Sequence, residues 1–568
     1  GTFMVVADNG ASYGDVATAS LAGSTNTPFQ DDQNKSSYLT SQFLLDFNRT
    51  FADKHNISGV LGWSQESYRY YNMYIRKTYL DDLNQPTGST VIDSGSRLST
   101  QQPTNTALRS WFGRVSYAFG NRYFLDFTAR YDQSSKFAKG HRGAFFPAVS
   151  ASWRISDEAF MENWNRNMGE LKIRASYGLN GNQQNVGDYD YLSTYSNSQN
   201  VYAFGSAAVP GTSLTLGNEL LSWEVSKTFD IGIDAGFFKN TLTFSFDWFN
   251  KNTEGILFTP QTPSSYGASL ANENMGALNN KGWDFTVNYN LRSGSWLHTF
   301  GFNLADSNHK ITKGYEEANI QVRDISRIRL NGLPMNTYYG LEVQGLFQTQ
   351  EEINNAAIPT GIDRSQLGLG DVHYVDQNND GKIDDNDKIV LGYGFPRYTF
   401  GLNYSFKWKG FDFAMMAQGV GKRTLGIRGE LIEAFQGNYA QTIFEHMEDY
   451  WRPDNTDAWL PRVSASGSVS SANNWNTRGS TINYLDMKYI RLKNIQLGYT
   501  LPAKWTGAVG IKSARIYVNG QNVLTLSPTK FIDPENTEFP NSMNGGSSHS
   551  VRNHPNTHYW GGGINLTF

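Results

Sequence analysis

The sequence predicts an all-β protein, a transmembrane antiparallel β-barrel of about 15 to 16 strands, and three observations carry that reading. Apolar and polar residues alternate strictly over long runs: Leu242, Phe244, Phe246 and Trp248 interleave with Thr241, Thr243, Ser245 and Asp247, the period of a two-faced strand. The runs are long, roughly 9 to 13 residues, whereas strands of soluble sandwiches average about 5 to 6 and a tilted strand crossing a bilayer needs about 9 to 11. Finally, short and long connections alternate, as expected where periplasmic turns are short and outer loops long.

The strands follow in chain order. The first six candidates are 38–50, 56–72, 108–119, 122–134, 145–155 and 171–180. Next come 223–238, 240–252, 276–291 and 297–309, where Trp283, Phe285, Val287 and Tyr289 alternate with Asp284, Thr286, Asn288 and Asn290. The last five are 397–408, 411–423, 487–501, 513–525 and 558–568. The final run, ending GGGINLTF, sets Trp560, Ile564, Leu566 and Phe568 on one face and is taken to descend to the periplasm. Direction then alternates upstream. The turns at Gly120 and Asn121, at Lys239, at 293–295 and at 409–411, with the longer LPAKWTGAVGIKS, fall on the inner side. Segments 76–107, 181–222, 253–275, 310–396, 424–486 and 526–557 fall outside. Aromatic residues near strand ends, such as Trp248, Trp408, Trp560 and Phe568, suit interfacial girdles. The count is about 15 and the first strand descends, so an even-numbered closed barrel requires a further ascending strand. The sequence is therefore expected to be part of a larger barrel, or to hold a weak strand within residues 1–30. Residues 1–35 are unassigned, and 36–568 form the barrel with an extracellular segment at 310–396.

Composition narrows the function. Charged residues make up 18% and no long apolar run occurs, which excludes a helical membrane protein. A net charge of -4 with scattered Lys and Arg offers no basic field for nucleic acid. Cysteine is absent, which removes disulfides, thiolate catalysis and thiolate metal sites.

Seven stretches resemble a known family: FPAVSASWRISDEAF, LKIRASYGLNGNQ, LSWEVSKTFDIGIDAGFF, NKGWDFTVNYN, YLDMKYIRLKNIQLGYTLP, ARIYVNGQNVLTL and INLTF. Together, in this order, they are similar to the barrel of SusC-like TonB-dependent transporters (the SusC/RagA group) of Bacteroidetes outer membranes, from about residue 36 to the end. The resemblance implies a barrel of about 22 strands, a plug inside it, a TonB box that engages the TonB complex, and a SusD-like surface lipoprotein acting as a lid. It implies import of an oligosaccharide or peptide, through a barrel set in outer-membrane lipids. The plug and TonB box have no counterpart in this sequence.

One motif carries specific chemistry. DQNNDGKIDDND, residues 376–387, has the spacing of an EF-hand-type calcium loop. Asp376, Asn378, Asp380, Asp384 and Asp387 supply side-chain oxygens, Lys382 its backbone carbonyl, Gly381 the sharp turn and Ile383 an apolar anchor. Asp387 replaces the usual Glu, and its shorter side chain reaches an ion less readily. Glycine- and β-rich flanks replace the two helices of a sensor, so the expectation is a structural calcium ion pinning the outer loop; the alternative is a solvated acidic turn.

Weaker patterns favour structural readings. Gly10, Ser12 and Gly14 match a nucleophile-elbow spacing without the strand and helix it needs. His549, His554 and His558 lie in the last outer loop without interleaved carboxylates and suit lid or substrate contact better than a metal. Glu445, His446, Glu448 and Asp449 read as a short solvated helix. Trp459, Trp475 and Tyr484 could stack on sugars or simply pack the loops. No catalytic set emerges, so the expected function is energy-coupled import without enzymatic activity; the rival is a non-transporting surface-binding barrel.

Overall fold

A computed structural model describes residues 27–568 apart from 80–96, 101–103, 205–206, 261–268, 315–326, 336, 360–361, 428–430, 433–442, 464–474, 477 and 536–555. A 16-stranded sheet dominates, with all but one strand on a single path in chain order. The path runs β1 (Thr27–Phe51), β2 (His55–Tyr79), β3 (Thr104–Phe119), β4 (Tyr123–Ser134), β5 (Gly143–Arg154), β6 (Leu171–Asn182), β7 (Glu224–Phe237) and β8 (Leu242–Phe258). It continues through β9 (Glu273–Ser293), β10 (Trp296–Lys313), β11 (Arg397–Trp408), β12 (Phe411–Lys422), β13 (Tyr489–Thr500), β14 (Ser513–Leu526) and β15 (Tyr559–Thr567). Arg97–Thr100 pairs with β2 off this path. Among the described residues no ladder joins β1 to β15.

Each strand on the path pairs antiparallel with the next, as the alternation of short and long links requires. The tight turns at 52–54, 120–122, 238–241, 294–295 and 409–410 lie at one end. Ala52, Asp53, Asn121, Phe238, Lys239, Asn240 and Lys409 take positive φ there. Two links break the length rule. The 155–170 link, at the short-turn end, carries two 3-10 turns and the helix Glu162–Asn167, whereas 135–142 closes the long-loop end compactly. Several strands outrun the predicted ranges: 38–50 becomes Thr27–Phe51, and 240–252 becomes Leu242–Phe258. Ladder hydrogen bonds continue past the point where apolar alternation stops, because an antiparallel pair satisfies its backbone in water as well as in lipid.

Register brings the apolar faces into one band. Leu61 opposes Leu45 and Gly113, Phe127 opposes Val115 and Val149, and Tyr177 opposes Phe229. Trp248 meets Trp283, Phe285 meets Leu304, and Ile516 meets Ile564. Rings ladder at the short-turn end: Trp296 stacks on Trp408 at 4.7 Å, and Phe411 lies 4.5 Å from Tyr499. Cross-strand pairs of this kind contribute about 0.2–1 kcal/mol each, and the ring row matches an interfacial girdle.

Candidate functional site

The polar face is cross-braced by charges. Arg174 on β6 donates from Nε to Asp234 Oδ2 at 2.9 Å and from Nη2 to Asp247 Oδ2 at 2.6 Å, while the Ser245 hydroxyl donates to Asp234 at 2.7 Å. Gly232 makes room for this cluster, since a Cβ there would lie 2.8 Å from Arg174 Cζ. Arg114 with Asp126 and Arg515 with Asp412 repeat the device on other strands. Small and charged residues on this face leave a polar surface, in contrast to the greasy one behind it.

At the long-loop end the connections fold on each other. Leu341, Phe347, Ile353, Val372, Tyr374, Ile383 and Trp475 form a buried core outside the sheet. Val343–Leu346 pairs with Val372–Tyr374, and Thr337–Leu341 with Lys388–Tyr393. In the link from Leu346 to Val372, Thr349 caps the short helix Gln350–Asn355: its hydroxyl accepts from the Glu352 N–H, and Glu352 accepts from the Gln348 N–H at 2.7 Å. Fully buried Asp371 accepts both arms of Arg462, at 2.7 and 2.8 Å, and the Asn476 amide at 2.9 Å. The Asp371 hydrogen bonds raise the Arg462 pKa, against a smaller opposing effect of burial. The loop after β14 is tied down by Arg491, which pairs with Asp533 at 2.7 Å and with Glu535, while Lys493 reaches Glu535 at 2.9 Å.

The calcium-type loop sits on this loop core. Strand Val372–Tyr374 precedes it, the 3-10 turn Asp385–Asp387 closes it and strand Lys388–Tyr393 follows, so no helix pair flanks it. Ile383 is buried in the core, as an apolar anchor should be. Gly381 takes φ +81°, and a Cβ at this position would meet nothing within 4 Å, so backbone conformation rather than space selects glycine there. Asp376 accepts from the N–H groups of Asp380 and Gly381, at 3.3 and 2.8 Å. Asn378 accepts from the Asp380 N–H at 3.0 Å, and Asp380 from the Lys382 N–H at 2.9 Å. Asp384 accepts from the Asn386 N–H at 2.7 Å. Buried Asp387 uses both oxygens on the N–H groups of Gln377 and Asp384, at 2.9 and 2.7 Å. The donor set is that of a hard-cation loop, and the residues share one turn. Among the described residues, however, no group of three or more His, Asp or Glu side chains gathers closely enough to hold a metal.

A cavity of about 360 Å³ opens beside this core, where 343–348, His373 and 456–459 meet. Gln348 bridges its walls, donating to the carbonyls of Leu346 and Thr456 at 3.0 Å each and accepting from Trp451 Nε1 at 3.2 Å. His373 stacks on Phe347 at 4.6 Å, and burial lowers its pKa, partly offset by the Glu352 charge. Trp459 lines the cavity and packs 5.7 Å from Phe531. The other two candidate sugar platforms are packing residues. Trp475 is wholly buried, its indole donating to the Val372 carbonyl at 2.9 Å, and Tyr484 lies against Tyr338 at 4.9 Å.

The weaker patterns also find places. Glu445–Glu448 is a 3-10 turn with Met447 buried; His446 is bonded to the Leu431 carbonyl at 2.7 Å and stacks on Phe531 at 3.9 Å. Asp449 holds Asn455 at 3.1 Å. His558 is exposed, whereas Gly10, Ser12, Gly14, His549 and His554 lie outside the described residues. Sequence reading missed Asp371–Arg462 and Arg491–Asp533–Glu535, because their partners are 91 and about 40 positions apart with no shared local pattern.

A membrane-spanning sheet with an apolar band, a charged polar face and folded outer loops defines an outer-membrane β-barrel protein. Residues 5–385 match the family model "TonB dependent receptor-like, beta-barrel", and the chain belongs to that family. It is 30% identical to TonB-dependent receptor P3 of Formosa agariphila over 98% of this chain and 54% of the relative. It is 26% identical to TonB-dependent receptor SusC of Bacteroides thetaiotaomicron over 78% of this chain and 43% of the relative. The chain thus spans about half the length of the curated relatives it matches. The RagAB peptide importer in its open-open state superposes with a TM-score of 0.75 at 21% identity, covering 95% of this chain and 56% of that one, a likeness of fold.

Proposed function

We propose that this chain is the barrel portion of a TonB-dependent importer of oligomeric nutrients, oligosaccharide or peptide, working with a SusD-like surface lipoprotein. The observation that carries the reading is the pairing of a charge-braced polar sheet face with outer loops that fold into a buried core bearing a cavity. Completed into a closed barrel by further strands, such a sheet would enclose a space wider than side chains fill, so passage is a gating problem: the lid closes over the loops, and TonB acting on a plug opens the path. The relatives are receptors and transporters, which supports a non-enzymatic role. The test is deletion of the gene, with growth and uptake measured on oligosaccharides and on peptides, and purification of the intact protein to look for a lid lipoprotein. Normal uptake of every oligomer and no lipoprotein partner would sink the proposal.

Within this reading the 376–387 loop takes up calcium as a staple rather than a sensor. Asp376, Asn378 and Asp380 already turn oxygens into the loop, and Asp384, Asp387 and the Lys382 carbonyl complete the ligand spacing. Calcium titration should slow amide exchange across 371–393; unchanged exchange at millimolar calcium, on the order of the weakest loops of this type, would rule the ion out.

A further inference from the structure

We propose that the link between β5 and β6, residues 155–170, is an interfacial anchor lying in the inner leaflet of the outer membrane, with Phe160 inserted among phospholipid acyl chains. The proposal needs only the membrane-spanning sheet and is independent of what the protein transports.

The link lies over the lipid-facing side of the wall. It holds the helix Glu162–Asn167, whereas 120–122 and 238–241 at the same end are tight turns. Near its start, Glu158 accepts from the Tyr123 hydroxyl at 2.5 Å and from Trp153 Nε1 at 3.1 Å. Those two rings stack at 6.2 Å and belong to the apolar band, in line with Leu125 and Phe127 on β4 and with Val149 on β5. Farther on, Trp164 meets Phe237 edge to face at 5.7 Å, and Phe237 ends the apolar row Phe229, Ile231, Ile233 and Ala235 of β7. A chain held at both points runs along the outside of the sheet at the periplasmic rim, past the foot of β6. Its exit is clamped as well: the Asn240 N–H donates to the Met168 carbonyl at 3.1 Å, and the Gly236 N–H to the Glu170 carbonyl at 2.6 Å. Gly169 permits this closeness, since a Cβ there would collide with the Asn240 side-chain oxygen.

The span between the clamps is amphipathic. Phe160, Met161, Trp164 and Met168 recur at the three- and four-residue spacing of one helical stripe. Glu162 and Arg166 pair at 2.7 Å on the exposed side, beside Asn163 and Asn167. Trp164 is spent on the sheet, but Phe160 is 70% exposed. In the plane of the interface, a short helix with a charged outer side gains by burying such a ring at the boundary of headgroups and acyl chains. Continuity selects the occupant. The Tyr123–Trp153 row that clasps Glu158 is itself part of the girdle of the lipid-facing band, so the surface beside the link faces lipid, and at the short-turn end that lipid is the inner leaflet.

The chain contains no cysteine, so one introduced residue takes one spin label. The intact protein is placed in nanodiscs of phosphatidylethanolamine and phosphatidylglycerol, whose two faces are both open to solvent. Labels on Phe160→Cys and Asn163→Cys then report collisions with oxygen, which concentrates in hydrocarbon, and with a nickel chelate, which stays in water. The oxygen-to-nickel ratio at 160 should exceed that at 163 by about five-fold or more. Should Phe160→Cys fail to assemble, the unsubstituted protein gives a second reading in the same nanodiscs. Hydroxyl-radical oxidation of Phe160, scaled to the free amino acid, should fall about five-fold below that of Tyr195, an outer-loop residue 74% exposed. Equal collision ratios at 160 and 163, oxidation of Phe160 matching that of Tyr195, or a label at 160 shielded from both reagents by a protein partner would each overturn the proposal.

Discussion

Asp371 shows how one buried group holds two loops distant in sequence. Its carboxylate is fully buried between Arg462 and Asn476, and Gly368 N–H donates to it at 2.9 Å. Asp371→Ala strands the guanidinium in a partly exposed pocket; breaking a buried pair costs about 3–5 kcal/mol, and partial exposure of Arg462 brings the expectation to about 2–3 kcal/mol. Limited proteolysis should then cut within 343–375 at least ten-fold faster, with the membrane-embedded strands unaffected. Gly381 offers a finer contrast. Its φ of +81° in open space means that Gly381→Ala costs backbone energy alone, about 1–2 kcal/mol, and amide exchange should speed up in 376–387 but not in the loop core. The first site was invisible in the sequence because its partners share no local pattern. The second was legible, because a glycine flanked by alternating Asp and Asn implies a left-handed turn on local sterics alone.

Elements were read more reliably than their ends. Alternation located every strand of the main path, from 38–50 to 558–568, because burying one face in lipid and the other in water imposes a period of two. It missed the short ladders of the outer loops, such as Val343–Leu346 with Val372–Tyr374, which are too brief for a period and are held by Phe347 and Tyr374 packing into a shared core. The loop after β14 depends on an electrostatic latch. Burial favours protonation of Asp533, but hydrogen bonds from the Glu535 and Asn556 N–H groups and from Arg491 outweigh it and leave its pKa below the ordinary carboxylate value. A depressed carboxylate stabilises the fold fully above its unfolded pKa of about 3.9 and loses that contribution as pH falls through the depressed value. Protection of 527–535 relative to the intrinsic exchange rate at each pH should therefore be flat from neutral pH to about pH 5 and fall below about pH 4; Asp533→Asn should abolish the acid-induced loss. A loop equally protected at pH 7 and pH 3 would contradict this latch.

At the scale of the molecule, Trp459 gives the most direct check on the proposed import. Of the three loop tryptophan and tyrosine candidates it alone borders the outer cavity. On the proposed import function, Trp459→Ala is expected to weaken oligomer binding to the intact protein about ten-fold, roughly 1.4 kcal/mol, measurable by calorimetry, whereas Trp475→Ala should destabilise the loops by about 3–5 kcal/mol through a cavity in their core. The sequence by itself determined that this is a membrane β-sheet, which strands neighbour which, and which end bears the long loops. Those properties follow from a two-residue period and from alternating chain direction, both local and repeated along the chain. Only the tertiary structure decided that Trp475 is core rather than platform, that Asp371 and Arg491 latch distant loops, and that Arg174 braces Asp234 and Asp247 across three strands. Those facts depend on register and on contacts between segments far apart in the chain, which a sequence pattern does not encode.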